Sequence, residues 1–480
     1  FTKIASDAKT YASSITFGNQ GRTIVVGNPG QTYEGSVLVL RRKLNSEIDT
    51  LEGASGFTIG PTFSDRWVGN NNNAGLGHSV SLSSTTNTLV AGAPFASSVR
   101  TVTDPERPNF KYSANGATVS SFTKQGLVKL TTYNSLTNVY DSTYVITSPK
   151  SANNEEFGYS VATSDQRLVV GAPGRATDTG AVYVYEKGTD WDYAEELLAP
   201  EYTEGDRFGE VLVATKDLGI LIVSATSKET ITEADDSTVK NTGKVFVYYH
   251  DGTGYNLIQT IDETVVTSIG NNDLFGSSLG ISNNGDTLVI GAPLGDVTEV
   301  NQGAVYVFER QTQGDSTVGY ALKETITSPS VQNGEQFGHK IAVNPDGTSF
   351  AVSSASGSND KTTTFDNKET TFDAYSLNFI DNVTGTGSVY TFTKLGNDFV
   401  FGQKLSSNDL QTNDGFGSGL AYSTTSLYVG APYFELEGNK TGMLFVYQKE
   451  ATAGWNTLRQ QGSLTDPFSI EKVLTYRTDT

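Results

Sequence analysis

Apolar and polar residues alternate along short stretches of this chain, and glycines separate the stretches. The segment 157–187, FGYSVATSDQRLVVGAPGRATDTGAVYVYEK, alternates, breaks at GAP and then alternates again. Side chains of a β-strand point to opposite faces with a period of two, so this pattern predicts half-buried antiparallel strands joined by turns. Variants of the same phrase recur along the whole chain, which indicates a repeat architecture.

Two landmarks define the repeat. The first is a glycine that follows Phe or Leu, at Gly77, Gly158, Gly209, Gly276, Gly338 and Gly417. The second is a VVGAP-like element, centred on Gly27, Gly92, Gly171, Ser224, Gly291, Ser353 and Gly430. The two landmarks are 15 or 13 residues apart in the six copies that have both. A difference of two residues keeps every side chain on its own face, so this parity predicts a strand–turn–strand unit.

Two further strands follow in each copy. The third is predicted to begin after a glycine, at Gly35, Gly116, Gly180, Gly243, Gly303, Gly387 and Gly442. The fourth begins with an aromatic residue in most copies, at Trp191, Tyr255, Tyr320, Phe399 and Trp455. Four antiparallel strands repeated seven times predict an all-β, seven-bladed β-propeller, because one blade alone cannot bury both of its faces and a closed ring of blades can.

The paired FG and GAP phrases resemble the FG-GAP repeats of the integrin α-subunit propeller and of related surface proteins. The resemblance covers nearly the whole chain. It implies a propeller over residues 1–465, followed by a C-terminal tail or linking strand at 466–480. Copies four and six lack GAP, and copy one has only SSITFGNQG in place of a clean FG, so these blades are expected to be degenerate.

The resemblance also raises the question of calcium. In integrin-like relatives some first hairpin turns carry a loop of the type DxDxDGxxxD. The corresponding turns here, such as SNNGDT and NPDGT, lack the three alternating oxygen ligands that calcium needs. Asp286 and Asp346 are the nearest matches, and we interpret them as turn residues. We therefore predict no metal site and no cofactor.

The composition of the chain limits the classes of partner and the cellular location that we expect. The 480-residue chain has a formal net charge of −20 and a pI of about 4.6, which argues against nucleic acid because its phosphates would be repelled. No apolar run approaches the roughly 18 residues of a membrane-spanning helix. There is no cysteine, and the chain starts at Phe1 rather than Met, as a processed secretory product would. Asn382 and Asn439 are glycosylation candidates. We expect a secreted or cell-surface protein.

Motifs for catalysis are few. GSSLG, residues 276–280, matches the G-x-S-x-G nucleophile elbow, but Ser278 occupies the same repeat position as Ser79 and Ser160 and is interpreted as structural. The chain has three histidines. His78 and His339 follow the FG-type glycine at one repeat position, where packing accounts for them without a metal, and His250 ends a third strand.

Acidic and amide residues cluster before FG, in NNEEFG, EGDRFG, NNDLFG, NGEQFG and TNDGFG. A pair of carboxylates across the pore could act as acid and base on a glycosidic bond. The same residue types recur in every one of these blades, as a turn requires, whereas catalysis needs a single asymmetric pair. We therefore interpret them as structural and predict that the protein is not an enzyme.

The loop between the second and third strands varies fourfold in length while the first hairpin stays constant. The extended loops are 95–115, 227–242 and 356–386, and long loops on a rigid scaffold commonly carry function. Ring closure predicts that one terminal segment completes blade seven, and 1–6 and 455–463 both suit a fourth strand. A surplus strand could augment an edge in another subunit.

These observations predict an extracellular, non-enzymatic structural or adhesion module that contacts a protein partner or like subunits, for example as a protomer of a cell-surface filament. A glycan-binding propeller is the alternative, with aromatic and amide residues on the variable face. A polysaccharide-cleaving enzyme is the third reading, and it would require a single close carboxylate pair in a pocket.

Overall fold

We analysed a computed structural model of the chain. It describes residues 12–18, 23–29, 35–42, 57–64, 74–83, 88–97, 111–112, 122–134, 139–201, 204–226, 242–270, 272–297, 299–312, 318–330, 334–354, 386–405, 410–436, 439–440, 442–450, 454–457 and 474–475. The predicted tail 466–480 lies outside these residues except for 474–475, and the glycosylation candidate Asn382 lies wholly outside them. Most of the three extended loops also lies outside.

The described strands form seven sheets, each with four antiparallel strands in chain order. The first strands are β1 (Ser14–Gly18), β5 (Val80–Leu82), β10 (Ser160–Thr163), β14 (Leu212–Ala214), β18 (Ser278–Ile281), β22 (Phe337–Val343) and β26 (Gly419–Tyr422). The second strands are β2 (Thr23–Asn28), β6 (Thr88–Ala93), β11 (Arg167–Ala172), β15 (Ile220–Ala225), β19 (Thr287–Ala292), β23 (Ser349–Ser354) and β27 (Ser426–Ala431). The predicted all-β, seven-bladed propeller is confirmed.

The outer half of each blade follows the same order. The third strands are β3 (Ser36–Arg42), β8 (Leu127–Asn134), β12 (Ala181–Lys187), β16 (Lys244–His250), β20 (Ala304–Thr312), β24 (Ser388–Leu395) and β30 (Met443–Glu450). The fourth strands are β4 (Phe57–Ser64), β9 (Val139–Ile146), β13 (Trp191–Leu197), β17 (Tyr255–Ile261), β21 (Val318–Thr327), β25 (Asp398–Leu405) and β31 (Gly454–Thr457).

The remaining elements are short. They are α1 (Arg175–Asp178), β7 (Lys111–Tyr112), the hairpin of β28 (Glu435–Leu436) and β29 (Asn439–Lys440), and β32 (Leu474–Thr475). The β7 strand pairs in parallel with β9 and is a fifth strand on the outer edge of blade 2.

First strands contact one another from blade to blade, and β26 contacts β1, so the ring is closed. The seam between blades 7 and 1 is a buried apolar cluster that includes Ala12, Val26, Tyr428 and Leu444. Phe17 lies against Tyr428 in the same seam, with 6.5 Å between ring centroids. Within the described residues these two blades share no strand, and the packing of side chains closes the ring.

Blade 7 obtains its outer strand from the C-terminal side. The β31 strand pairs with one half of β30, and β32 pairs with the other half at Met443 and Leu444. Of the two segments that suited this position, 455–463 thus supplies the start of the strand, while 1–6 lies outside the described residues. Exchange of a terminal strand with a neighbouring protomer stays a prediction.

The third strand of blade 2 was misplaced by the sequence pattern. It begins after Gly126 and not after Gly116, and β8 holds the third position in that sheet. Gly126 has φ +81°, and a Cβ there would lie 2.2 Å from the carbonyl oxygen of Phe157, as a Cβ at Gly180 would from Phe208. The glycine that starts a third strand therefore has to meet the FG phenylalanine of the next blade, a contact that local alternation does not reveal.

Glycine and serine form the inner seam between blades. A Cβ added at the GAP glycine Gly171 would lie 2.1 Å from the carbonyl oxygen of Gly209, the FG glycine of the next blade. Ser160, the cross-strand partner of Gly171, donates a hydrogen bond of 2.6 Å to that same oxygen. The same serine bond recurs, as Ser14 to Gly77 (2.7 Å), Ser79 to Gly158 (2.9 Å) and Ser278 to Gly338 (2.5 Å).

The copies that lack GAP are complete blades. In them the serine stands on the second strand, at the GAP position, and not on the first strand. In blade 4 the first strand carries Val211, and Ser224 stands at the GAP position. Its side chain lies against Gly276, since a Cβ on that glycine would be 3.1 Å from the Ser224 Cβ. Lys340 and Ser353 repeat this arrangement in blade 6, where the Lys340 amide donates to the serine hydroxyl. The degeneracy of these copies is thus confined to the sequence phrase, and their sheets keep four strands.

Blade 1 also has an FG equivalent, immediately before the segment SSITFGNQG that the sequence suggested. Ala12 takes the glycine position with φ 65°, in the left-handed region that usually favours glycine. A Cβ on Gly430 of blade 7 would lie 2.0 Å from the Ala12 carbonyl oxygen. The last seam therefore has the same backbone contact as the others.

A second set of bonds joins the blades at the rim. The backbone N–H at the aromatic start of a fourth strand donates to an acidic or amide side chain of the preceding blade. The bonds are Tyr255 to Glu195 (2.9 Å), Tyr320 to Gln259 (2.7 Å) and Phe399 to Glu324 (2.9 Å).

Loss of the inner-seam hydroxyl tests this account. We expect Ser160→Ala to lower the free energy of unfolding by about 1–2 kcal/mol, because the buried carbonyl of Gly209 loses its donor. Ser277→Ala is the matched control, since that hydroxyl makes no hydrogen bond within the described residues. Urea titration of the two variants measures the difference, and equal losses would contradict the role of the serine.

Candidate functional site

Polar and charged side chains lie at the end of the propeller axis where the FG segments are. In each blade the residue after the FG glycine precedes or starts the innermost strand, and we call these seven residues the axial ring: Ser13, His78, Tyr159, Glu210, Ser277, His339 and Ser418. The ring is asymmetric, because blades 2, 3 and 4 contribute His, Tyr and Glu whereas blades 5, 7 and 1 contribute serine.

His78 is packed in the large half of the ring. Its Nδ1 is 2.9 Å from the carbonyl oxygen of Tyr159, the geometry of an N–H that donates to that oxygen. The His78 ring lies 4.3 Å from the Tyr159 ring and 5.7 Å, edge-on, from Phe95. Burial, against the opposing effect of the bond to Tyr159 and with a smaller contribution from the positive charge of Lys340 in blade 6, lowers the pKa of His78 to about 4. At neutral pH the imidazole is therefore uncharged.

His339 is also held neutral. Burial lowers the pKa of His339 to about 3, with a smaller contribution from the adjacent Lys340. Burial also lowers the pKa of Lys340, and the carboxylate of Glu210 opposes that shift. No group of three or more potential metal-ligating side chains occurs in the described part of the chain. His78 is held by packing and by its bond to Tyr159.

Arg207 is the charged centre of this site. Its guanidinium contacts three carboxylates, Glu156 at 2.8 Å, Asp178 at 3.1 Å and Glu210 at 3.5 Å. It also lies over the ring of Tyr159, 5.4 Å from the centroid. Burial alone would lower the pKa of Arg207, but Glu210 and Glu156 raise it, so the side chain stays charged. Glu156 and Asp178 belong to blade 3, so the cluster joins blades 3 and 4.

Local backbone conformation places these side chains. The residue just before FG has positive φ in several blades, with 57° at Glu156 and 55° at Arg207. The loop after the second strand of blade 3 is a left-handed turn, in which Ala176, Thr177 and Asp178 have φ of 52°, 60° and 59°. The Asp178 carbonyl accepts a hydrogen bond of 2.7 Å from the Arg207 amide, so loop and FG segment are tied together.

Arg207 was missed in the sequence. It stands in EGDRFG, one of the segments that pattern analysis assigned to turns. The signal that could have found it is its uniqueness, since the residue just before FG is Glu, Leu, Gln or Gly in the other blades that have the phrase FG. A single arginine at a position that is acidic or neutral in the other copies indicates that it forms an ion pair specific to its own blade.

The acidic residues two positions before FG stay in their own blades. Glu155 accepts hydrogen bonds from Ser148 (2.5 Å) and Tyr183 (2.7 Å). Glu335 accepts one from Tyr390 in the same way, and Asp273 accepts one from the Gly270 amide at 2.6 Å. Each carboxylate therefore has a local bonding role, which supports the structural interpretation of this repeated position.

The nearest calcium candidates form turn contacts. Asp286 pairs with Arg310 at 3.0 Å and accepts a hydrogen bond from Asn284. Asp346 accepts bonds from Asn344 and from the amide and hydroxyl of Thr348. These partners occupy oxygens that a cation would need, which supports their interpretation as turn residues.

The other candidate residues also have structural contacts. Ser278 of GSSLG donates to Gly338 in the inner seam and starts a β-strand. His250 accepts a hydrogen bond of 3.0 Å from the Gly252 amide at Nδ1. Asn439 lies in the short hairpin strand β29.

The loops between second and third strands begin at the same end of the blades as this site. The FG glycine amide donates to the GAP carbonyl, as in Gly77 to Gly92 (2.9 Å) and Gly158 to Gly171 (3.0 Å), so FG and the end of the second strand lie at one end of the blade. The connections are 29–35, 94–126, 173–180, 226–243, 293–303, 355–387 and 432–442. The blade 2 loop is thus longer than the 95–115 that the sequence suggested.

The resemblance to FG-GAP repeats is confirmed by comparison with known families. The family model described as FG-GAP repeat matches residues 142–185 and 269–308. No curated protein sequence matches the chain. A β-propeller with FG-GAP repeats is typical of protein–protein interaction modules.

Solved structures of propellers are similar to the chain at low identity. The β-propeller domain of Cps50 (Swd1) from Myceliophteria thermophila is 9% identical, with 93% of this chain and 99% of that chain covered and a TM-score of 0.49. The periplasmic gluconolactonase PpgL of Pseudomonas aeruginosa is 15% identical, with coverages of 84% and 86% and a TM-score of 0.46. Sqt1 of Saccharomyces cerevisiae is 9% identical, with coverages of 98% and 94% and a TM-score of 0.48.

Among the residues that the structure describes, none forms a helix long and apolar enough to span a membrane.

Removal of the Arg207 charge tests the cluster. We expect Arg207→Met to cost about 3–5 kcal/mol of unfolding free energy, because Glu156 and Glu210 would be left buried without their cation. The matched control is Arg310→Met, which removes a partly exposed pair with Asp286 and should cost under about 1 kcal/mol. Denaturant titration measures both, and equal costs would contradict the central role of Arg207.

Protonation of His78 predicts acid sensitivity. The folded pKa of about 4 lies below the usual value of 6.5, so stability is fully present above pH 6.5 and falls as the pH drops towards 4. His78→Gln removes this term, and we expect the wild type to lose at most roughly 3 kcal/mol more than the variant across that range. Unfolding titrations at stepped pH provide the measurement. Parallel pH profiles of the two proteins would refute a neutral, buried His78.

Proposed function

We propose that this FG-GAP propeller is an extracellular, non-enzymatic interaction module that serves in adhesion or in a cell-surface assembly. The proposal starts from the fold, because propellers commonly mediate protein interactions and FG-GAP repeats are typical of extracellular proteins. The partner is another protein or a further copy of the chain.

The observation that carries the proposal is the contrast between the two ends of the blades. First hairpins keep nearly constant lengths, with turns at 164–166, 215–219, 282–286, 344–348 and 423–425. At the opposite end, the loops from second to third strand run from 29–35 in blade 1 to 94–126 and 355–387 in blades 2 and 6. Length variation confined to one end of a rigid scaffold is typical of a binding face.

The axial site gives this face a rigid centre. Arg207, Glu156 and Asp178 tie an FG segment to a loop of the neighbouring blade, and His78 packs on Tyr159 beside them. The variable loops therefore begin next to a hydrogen-bonded polar frame. Such a frame supports recognition because a partner does not have to order it on binding.

Location and adhesion are tested together. We expect antibodies against the propeller to label intact source cells before permeabilisation, and beads coated with the protein to attach to those cells. Variants in which 98–121 and 357–384 are shortened to the length of 173–180 should lose attachment. A variant with altered sequence in the turn 344–348, on the opposite face, is the control and should retain it.

Labelling that requires permeabilisation would contradict the extracellular assignment. Attachment that survives both shortened loops would contradict the assignment of the variable face as the binding surface.

A further inference from the structure

The outer strands of the blades differ in how their free edges are protected. An exposed edge presents unpaired backbone groups, and charged residues, proline or a covering strand normally block its pairing with another chain. Among the described outer strands, β4 has Pro61, β9 is covered by β7, and β31 is only four residues long. The strands β13, β21 and β25 carry charged residues, at Asp192, Glu195, Glu196, Lys323, Glu324, Asp398 and Lys404.

The β17 strand of blade 4 has none of these protections. Its sequence, YNLIQTI, contains no charge and no proline over seven residues. Leu257 on this strand is 37% exposed, and Tyr249 on the adjoining β16 is 41% exposed. The Tyr255 amide points away from β16, since it bonds to Glu195 of blade 3. Leu257, two residues further, therefore also directs its amide and carbonyl away from β16.

The blades themselves show that such an edge accepts a further strand. In blade 2, Lys111 and Tyr112 pair in parallel with Tyr144 and Val145 of the outer strand β9. That added strand comes from the chain's own loop. In blade 4 no described strand pairs with the outer edge of β17, where only the Tyr255 amide is bonded, to the Glu195 side chain of blade 3.

Carboxylates stand at both ends of this edge. Asp251 lies in the turn before β17, and Asp262 and Glu263 follow the strand directly. Asp251 is fixed there by Thr253 and Asn256, which donate to its two oxygens. An uncharged strip with acidic ends fits an extended segment that carries basic residues, because opposite charges then meet at the ends.

The chain contains a segment with that chemistry. Residues 1–11, FTKIASDAKTY, include Lys3, Lys9 and a single acid, Asp7, in a chain whose net charge is −20. They lie outside the described residues. Every described strand of the seven blades begins at Ser14 or later, and these strands already give each blade four. The C-terminal side, in contrast, already contributes β32 to its own blade 7.

We propose that β17 accepts residues 1–11 of a second copy of the chain as an added strand on the outer edge of blade 4. The proposal rests on the proposed function in its like-subunit form and names both surfaces of the contact. Main-chain hydrogen bonds supply the attraction, and Lys3 and Lys9 meet the acidic ends of the edge.

The position of the two surfaces sets the form of the assembly. Residue 12 enters blade 1, and β17 lies three blades away in a ring of seven, close to the opposite side. Eleven extended residues span at most about 36 Å, enough to leave the ring and reach a neighbour. The donor and acceptor are different surfaces, so the contact is heterologous and generates linear chains rather than closed dimers.

Four proteins test the proposal by sedimentation over a concentration series. The wild type should form chains, and both Leu257→Lys and a deletion of residues 1–10 should be monomeric, with association weakened by about tenfold or more. Leu322→Lys, at the matching position of β21 and 38% exposed, is the control and should assemble like the wild type. A mixture of the Leu257→Lys variant and the deletion should form 1:1 dimers, because each retains one surface.

Each other outcome overturns the proposal. A monomeric wild type would refute the proposal. Assembly that survives Leu257→Lys would show that β17 is not the acceptor, and assembly that survives the deletion would show that residues 1–10 are not the donor. Loss with Leu257→Lys but not with the deletion would indicate pairing of β17 with itself or with another segment. Melting temperatures close to that of the wild type confirm that the variants are folded. None of these outcomes affects the bead-attachment test, so failure of this contact and failure of the proposed function are separable.

Discussion

The ring depends on a backbone contact at the inner seam, where the carbonyl of one blade's FG glycine lies against the GAP position of the blade before it. A Cβ added to Gly27, Gly171 or Gly430 would lie about 2 Å from the neighbouring carbonyl oxygen. A side chain at these positions would therefore displace the neighbouring backbone. The FG glycine turns its carbonyl into the seam with φ near +90°, and the phenylalanine before it is fully buried as the anchor. The FG and GAP residues are therefore repeated because together they form one contact between neighbouring blades.

Because the last seam is built like the other glycine seams, the ring closes without a strand shared between its ends among the described residues. Ala12 meets Gly430 as Gly209 meets Gly171, and each sheet on either side of the last seam is formed from its own part of the chain. Each blade buries its two faces only against neighbours, so stability is distributed over the seams. The side-chain bonds at the rim, such as Gln259 to Tyr320, repeat this coupling at a larger radius.

The strand count and the faces of the strands could be predicted because they follow from local alternation and from a spacing that changes by two. Contacts between blades could not be predicted in this way. Gly126 was overlooked in favour of Gly116, since its partner Phe157 is distant in sequence. Ser224 seemed a defect because the paired serine position is visible only across two strands. Arg207 was assigned to a turn, since its partner Glu156 lies 51 residues away.

The same seams explain how a fixed scaffold can carry a variable face. The loops from second to third strand leave the blade just beyond the GAP contact, so their length does not alter the seam. Where a loop is short, as in blade 3, it is bound to the next blade through Asp178 and Arg207 and becomes part of the axial frame. Where it is long, as in blade 2, part of it adds the strand β7 at the rim. In these two blades the loops thus contribute to different surfaces, the centre in blade 3 and the edge in blade 2, while the glycine contacts of the inner seam are the same.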